Sequence, residues 1–244
     1  AEEGGMDHEQ NFCPGNSYWE KGGCTDMQNH YSVDFTCYVI AECQALAKIA
    51  EEVGERERAV YWGQLANRTL NEMNRLMWNE TMGFHFDRYF NGSLSQIKSV
   101  SGFYPLLLDG LPKEMAQRIV AVLDSPDFRT AVPIPTVATS TAGFSSDLDR
   151  GPMWTMQNYY AIKGLQKYGY HKKAKELRDA SLDVVRRYYE QWGVVFEYYD
   201  ALDLTDPTQT LRKPKKPDTG ECTPGVKGLA GHCGVGAIRE YNFA

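Results

Sequence analysis

Val33-Asp34-Phe35-Thr36-Cys37-Tyr38-Val39-Ile40-Ala41-Glu42-Cys43-Gln44-Ala45-Leu46-Ala47-Lys48-Ile49-Ala50-Glu51-Glu52-Val53-Gly54 is the stretch that decides the fold. Val33, Ala41, Leu46, Ile49, Ala50 and Val53 recur at helical spacing, and Gly54 ends the run. A second run begins at once, with Tyr61, Trp62, Leu65, Ala66, Met73, Leu76 and Met77 repeating at three and four, so Gly54 is expected to turn the chain between two antiparallel helices. Further along, residues 84–90 alternate before Asn91-Gly92, which predicts a small β-hairpin. Helical patterning returns over 97–108, 112–123, 152–168 and 171–191, with Gly169 dividing the last two, and over a short segment at 235–241. About seven helices result. Residues 124–151 keep no period and carry Pro126, Pro133, Pro135 and many small hydroxylated residues. They read as one long loop, a length that is usually functional. Residues 202–231, rich in Pro and Gly, read as a second irregular segment. No βαβ alternation or phosphate-binding glycine motif occurs, which argues against a dinucleotide or P-loop enzyme.

The 244 residues are 42% hydrophobic and 12% aromatic, enough for one large core. Lys and Arg total 26 against 32 Asp and Glu, a formal charge of −6, so the chain lacks the basic field that nucleic acid or an anionic membrane surface needs. A neutral polar substrate fits better. No apolar run approaches the roughly 20 residues of a membrane span, and a soluble protein is expected.

Cys13 with Cys24 and Cys222 with Cys233 each enclose a loop rich in Gly and polar residues that a disulfide would order. Cys37 and Cys43 fall on different faces of the first helix and read as buried free thiols. The spacings are not those of a zinc site. Three N-x-[ST] sequons, at Asn67, Asn79 and Asn91, exceed the roughly one that chance supplies; each is placed where a glycan would unfold nothing. Together these features point to a secreted or lumenal glycoprotein of the secretory pathway.

Two carboxylates stand in unusual settings. Asp7 lies in Gly4-Gly5-Met6-Asp7-His8, a backbone able to turn sharply, and Glu197 lies in the aromatic, strand-like run Val194-Val195-Phe196-Glu197-Tyr198-Tyr199-Asp200. A carboxyl among such neighbours tends toward a raised pKa, and two differently placed carboxyls are what acid/base cleavage of a glycoside requires. Taken alone, Asp7 also reads as a solvated terminal acid and Glu197 as an outward strand residue. In Arg150-Gly151-Pro152-Met153-Trp154, followed by Asn158-Tyr159-Tyr160, a guanidinium and an indole flank one loop-to-helix turn. Such a pair binds sugar hydroxyls and stacks on a pyranose, or, in the plainer reading, Trp154 simply packs between helices.

The order and spacing of Gly5-Met6-Asp7, Val33-Asp34, Phe103-Tyr104-Pro105-Leu106-Leu107, Arg150-Gly151-Pro152-Met153-Trp154 and Phe196-Glu197-Tyr198-Tyr199 resemble the catalytic domain of glycoside hydrolase family 63 and its mannosylglycerate-hydrolase and trehalase-like relatives. The resemblance implies an all-α (α/α)6 toroid and an inverting hydrolysis of a small α-linked glucoside or mannoside without cofactor or metal. Asp7 would be the general acid and Glu197 the general base, about 6.5–9.5 Å apart, with Arg150, Trp154 and Tyr198 lining the sugar subsite. Asp34 matches a family position as well, for substrate contact or for stabilising a helix N-terminus. The sequence departs from the family at His8-Glu9-Gln10, beside the acid, and at Gly231-His232-Cys233-Gly234, where relatives carry a tryptophan. These departures keep open a catalytically inactive, carbohydrate-binding or structural descendant. A stack of helical repeats is disfavoured by the lack of a fixed period. The toroid uses twelve helices, so the chain is expected to form the C-terminal part of one such domain and to associate with an N-terminal remainder of the same precursor.

Overall fold

The computed structural model describes residues 30–146 and 149–210. Asp7, Cys13, Cys24, Cys222, Cys233, His232 and the helix expected at 235–241 lie outside the described residues. The chain begins with β1 (His30–Tyr31) and two long helices, α1 (Val33–Glu52) and α2 (Arg56–Met77). Gly54, at φ +81°, takes the left-handed conformation that a side chain would resist, and the Glu55 N–H donates to the Ala50 carbonyl at 2.8 Å to close the turn. Val33, Cys37, Ile40 and Cys43 then bury against Ala66, Leu70, Met73 and Met77 of α2. Both cysteines are free thiols, as expected.

The small hairpin forms, but one turn earlier than the Asn91-Gly92 signal predicts. β2 (Trp78–Asn79) pairs antiparallel with β3 (Phe84–His85) around residues 80–83, while β4 (Arg88–Tyr89) pairs with β1. The Asn91-Gly92 tip is closed by the isolated Arg88–Leu94 bridge, with the Tyr89 N–H donating to the Ser93 carbonyl and the Ser95 N–H to the Asp87 carbonyl. Two long-range demands split the alternating run. Phe86 donates its N–H to the Met77 carbonyl, and the Asp87 carboxylate accepts the Val33 N–H at 2.7 Å, capping α1 from 54 residues away. Ser32, the residue before the helix, makes no side-chain cap.

The segment 97–108 yields a 3₁₀ helix over Val100–Leu107 rather than an α-helix. Pro105 removes an N–H donor, and residues 100–106 are buried all round, so there is no solvent face to shape an amphipathic helix. This short helix packs on α1 on one side and on α4 (Thr155–Lys167) on the other. Such close approach needs glycine. A Cβ on Gly102 would lie 2.1 Å from the Phe84 ring, and one on Gly164 would lie 2.6 Å from the Leu106 Cβ. Phe84, Phe103 and Phe128 meet edge to face or tilted in the main core.

Between the 3₁₀ helix and α4 the chain forms α3 (Lys113–Val122) and then the expected long irregular segment. Asn158 anchors that segment: its side-chain NH₂ donates to the Pro133 carbonyl and to Ser181, and its oxygen accepts the Ile134 N–H. α4 turns at Gly169, φ +82°, into α5 (His171–Trp192), giving the second helical hairpin. Along the outer side of α1, Phe35, Val39 and Ile49, with Val53 just past its end, remain 44–68% exposed. Among the described residues no helix is long and apolar enough to cross a membrane.

Two glycines in helices separate packing from propensity. Gly164→Ala is expected to lower stability by about 1–3 kcal/mol through overpacking against Leu106. Gly63→Ala, in open space on α2, is expected to raise it by up to about 1 kcal/mol. Urea midpoints that move in opposite directions bear this out; a neutral Gly164→Ala contradicts it.

Candidate active site

Pro152 and Met153 do not enter α4, as the expected helix boundary had them, because Met153 is engaged elsewhere. Its N–H donates to the Tyr199 carbonyl at 2.8 Å, and the Tyr199 N–H donates back to the Met153 carbonyl at 3.0 Å. This reciprocal antiparallel pair joins the loop before α4 to the turn after α5 and sets Trp154 opposite Tyr198. Trp154, the extended residue before α4, lies with its ring 5.2 Å from that of Tyr198 and tilted by 30°. Arg150, Trp154, Glu197 and Tyr198 are all buried, none more than 8% exposed. Gly151 admits the neighbouring loop: a Cβ there would lie 2.3 Å from the Ser145 carbonyl oxygen, and the Ser145 N–H donates to the Arg150 carbonyl.

The run around Glu197 is a clamped turn rather than the continuous strand its composition predicts. The Tyr199 hydroxyl accepts the Phe196 N–H at 3.1 Å, closing a loop that carries Glu197 and Tyr198, and the Tyr199 ring stacks on Tyr188 at 5.7 Å. On the far side the Asp200 carboxylate accepts the N–H groups of Leu202, Leu204 and Thr205. Glu197 is therefore held by rigid neighbours on both sides, the condition under which a carboxylate keeps one geometry. Composition singled out Glu197 and Tyr198 but not the clamping roles of Tyr199 and Asp200; the only signal was their position beside the acid.

Asp34 occupies the first turn of α1, buried, with its carboxylate accepting the Phe35 N–H at 2.7 Å. Burial, and then the neighbouring Asp87 carboxylate, push its pKa up to about 7. Asp87 was not among the residues singled out in the sequence, since nothing local marks an acid between Phe86 and Arg88 as the cap of a distant helix. Beyond Asp34 lie Tyr38, Tyr104 and Tyr160, with ring centroids 5.4–6.2 Å apart. Burial, with the nearby carboxylate, raises the Tyr38 and Tyr104 hydroxyl pKa values. Tyr160 lies in α4, the helix that Trp154 immediately precedes. Among the described residues no group of three or more His, Cys, Asp or Glu is placed to hold a metal ion. An open cleft of about 710 Å³, lined by Phe128, Arg129, Pro133, Lys173 and Leu177 among others, contains none of the site residues.

Two measurements follow from this geometry. The Asp34 carboxyl starts from 3.8 when unfolded and rises to about 7 when folded, so between those values the folded protein binds the proton more tightly. Stability is then full below pH 4 as far as this group is concerned and is lost as pH rises toward 7, by about 1.4 kcal/mol per pH unit crossed. Asp34→Asn is expected to flatten that slope and to be the more stable protein above pH 7, as read from denaturant midpoints at pH 5 and pH 8. Tyr199→Phe leaves the buried Phe196 N–H without its acceptor and is expected to cost about 1–3 kcal/mol, whereas Tyr189→Phe, at an exposed position, costs almost nothing.

Comparison with known proteins places this architecture. Residues 5–204 match the family of the mannosylglycerate hydrolase MGH1-like glycoside hydrolase domain. A mannosylglycerate hydrolase of Rubrobacter radiotolerans is 30% identical over 162 residues, covering 64% of this chain and 35% of that protein. Among solved structures, a neutral trehalase of Saccharomyces cerevisiae superposes with a TM-score of 0.63 at 19% identity over 73% of this chain and 35% of its own. A family 63 mannosylglycerate hydrolase of Thermus thermophilus in complex with glucose gives 0.62 at 22% identity over 71% and 42%. The chain spans about a third of the length of the relatives it matches, and its helices form part of a six-hairpin toroid. It belongs to the mannosylglycerate hydrolase MGH1-like glycoside hydrolase domain family.

Proposed function

We propose that this chain contributes the acid and base of an inverting glycoside hydrolase acting on a small α-linked glucoside or mannoside. The observation that carries this reading is the Met153–Tyr199 pairing, which brings the loop carrying Arg150 and Trp154 against the clamped turn carrying Glu197 and Tyr198. In this reading the Trp154 indole, backed by the buried Tyr198 ring, is the stacking partner of a pyranose, and the Arg150 guanidinium donates to its hydroxyls. Asp7 donates its proton to the glycosidic oxygen as the bond to the anomeric carbon breaks. Glu197 takes a proton from the water that attacks that carbon from the opposite face, so the product has inverted configuration. Asp34, in the first turn of α1, serves substrate contact or the helix N-terminus and takes neither proton-transfer step.

The same reading supplies an occupant for the outward apolar row of α1: the helices that complete the toroid in the longer relatives. It also suits a protein of the secretory pathway, where such glycosides are met outside the cytosol.

On full-length protein, Glu197→Gln and Asp7→Asn are each expected to lower turnover of the cleaved α-glucoside or α-mannoside by about 10²–10⁴-fold. NMR of the first product is expected to show the inverted anomer. Retention of configuration overturns the proposed chemistry. Sugar binding without turnover by the unaltered protein overturns the hydrolase in favour of a binding protein.

A further inference from the structure

We infer that Asn67 and Asn91 are acceptors for N-linked oligosaccharide, a modification independent of whether the site above turns over substrate. Asn67 opens Asn67-Arg68-Thr69 near the middle of α2, on an exposed position of a helix whose buried side is Ala66, Leu70, Met73 and Met77. Asn91 opens Asn91-Gly92-Ser93 at an exposed tip, where the Gly92 N–H donates to the Tyr89 carbonyl and Gly92 takes φ +94°.

Hydrogen bonding decides which atoms remain for chemistry. The Asn91 side-chain oxygen accepts both the Ser93 N–H at 3.0 Å and the Ser93 hydroxyl at 2.8 Å, which turns the carbonyl inward and the amide nitrogen to water. A glycan replaces one hydrogen on that nitrogen and leaves the oxygen untouched, so both bonds survive the modification. At Asn67 the partner hydroxyl of Thr69 donates back to the Leu65 carbonyl, an ordinary helical use that leaves Asn67 itself outward. Asn158 shows the contrasting case, a buried asparagine whose amide nitrogen is committed to Pro133 and Ser181 and which lies in no sequon. Asn79, half-buried in β2 beside Glu80 and Arg118, is not included.

In the transfer, the amide nitrogen forms a bond to C1 of a sugar carried on a polyprenyl pyrophosphate. The bond from C1 to the pyrophosphate oxygen breaks, the lipid pyrophosphate leaves, and the nitrogen gives up one proton to a base. The Ser or Thr hydroxyl two residues on is read by the transferase before folding, and the fold then places both acceptors where a large polar chain meets only solvent.

The test is peptide mapping of the full chain isolated from its natural source, before and after treatment with a peptide-N-glycosidase. Glycan-bearing peptides at residues 67 and 91, each converted to Asp on release, are the expected result. Ser93→Ala and Thr69→Ala, expressed through a eukaryotic secretory pathway, should each remove one glycan and leave the other. Unmodified Asn67 and Asn91 in the natural protein overturn the proposal, and occupancy of one alone overturns it for the other.

Discussion

Two backbone hydrogen bonds between Met153 and Tyr199 join the two segments that carry Arg150, Trp154, Glu197 and Tyr198. Pairing of this kind fixes register without regard to side-chain identity. The loop that precedes α4 and the turn that follows α5, more than forty residues apart, therefore meet, with Trp154 set against Tyr198. Neighbouring features reinforce the contact. Gly151 lets the Ser145 carbonyl approach, Tyr199 caps the Phe196 N–H, and Asp200 gathers three N–H groups of the next turn. A buried carboxylate placed by so many short-range bonds loses little conformational freedom when it acts, which is the physical basis of preorganisation.

The interior behind this region shows how polar groups are accommodated away from water. His85 is buried against Asn74 and Trp78, and burial lowers its pKa to about 3, so it is a neutral hydrogen-bonding ring. Asp87 is bonded to the N-terminus of α1, where the partial positive charge of the helix favours an anion. Burial and the nearby Asp87 carboxylate leave Asp34 holding its proton to about neutral pH.

Packing of the 3₁₀ helix between the two helical hairpins follows from the smallest side chains in the protein. Gly102 under Phe84 and Gly164 under Leu106 bring three elements closer than any Cβ allows, and the gain in contact offsets the poorer hydrogen bonding of the tighter helix. The apolar row left on the outside of α1 belongs to the same logic, since helices in a toroid bury one face against each neighbour.

The amino-acid sequence by itself determined both helical hairpins. Apolar spacing, with Gly54 and Gly169 at the turns, is local information that a helix reads within a few residues. It also marked residue types suited to sugar chemistry at Arg150, Trp154, Glu197 and Tyr198, because an acid or a guanidinium among aromatics is unusual wherever it lies. Tertiary structure alone decided that residues 84–90 divide between two partners, that 100–107 wind as a 3₁₀ helix, that Asp87 caps α1, and that Met153 leaves the helix to pair with Tyr199. Each of these depends on which distant surface excludes water from a group, and desolvation belongs to the assembled interior, where no local pattern can record it.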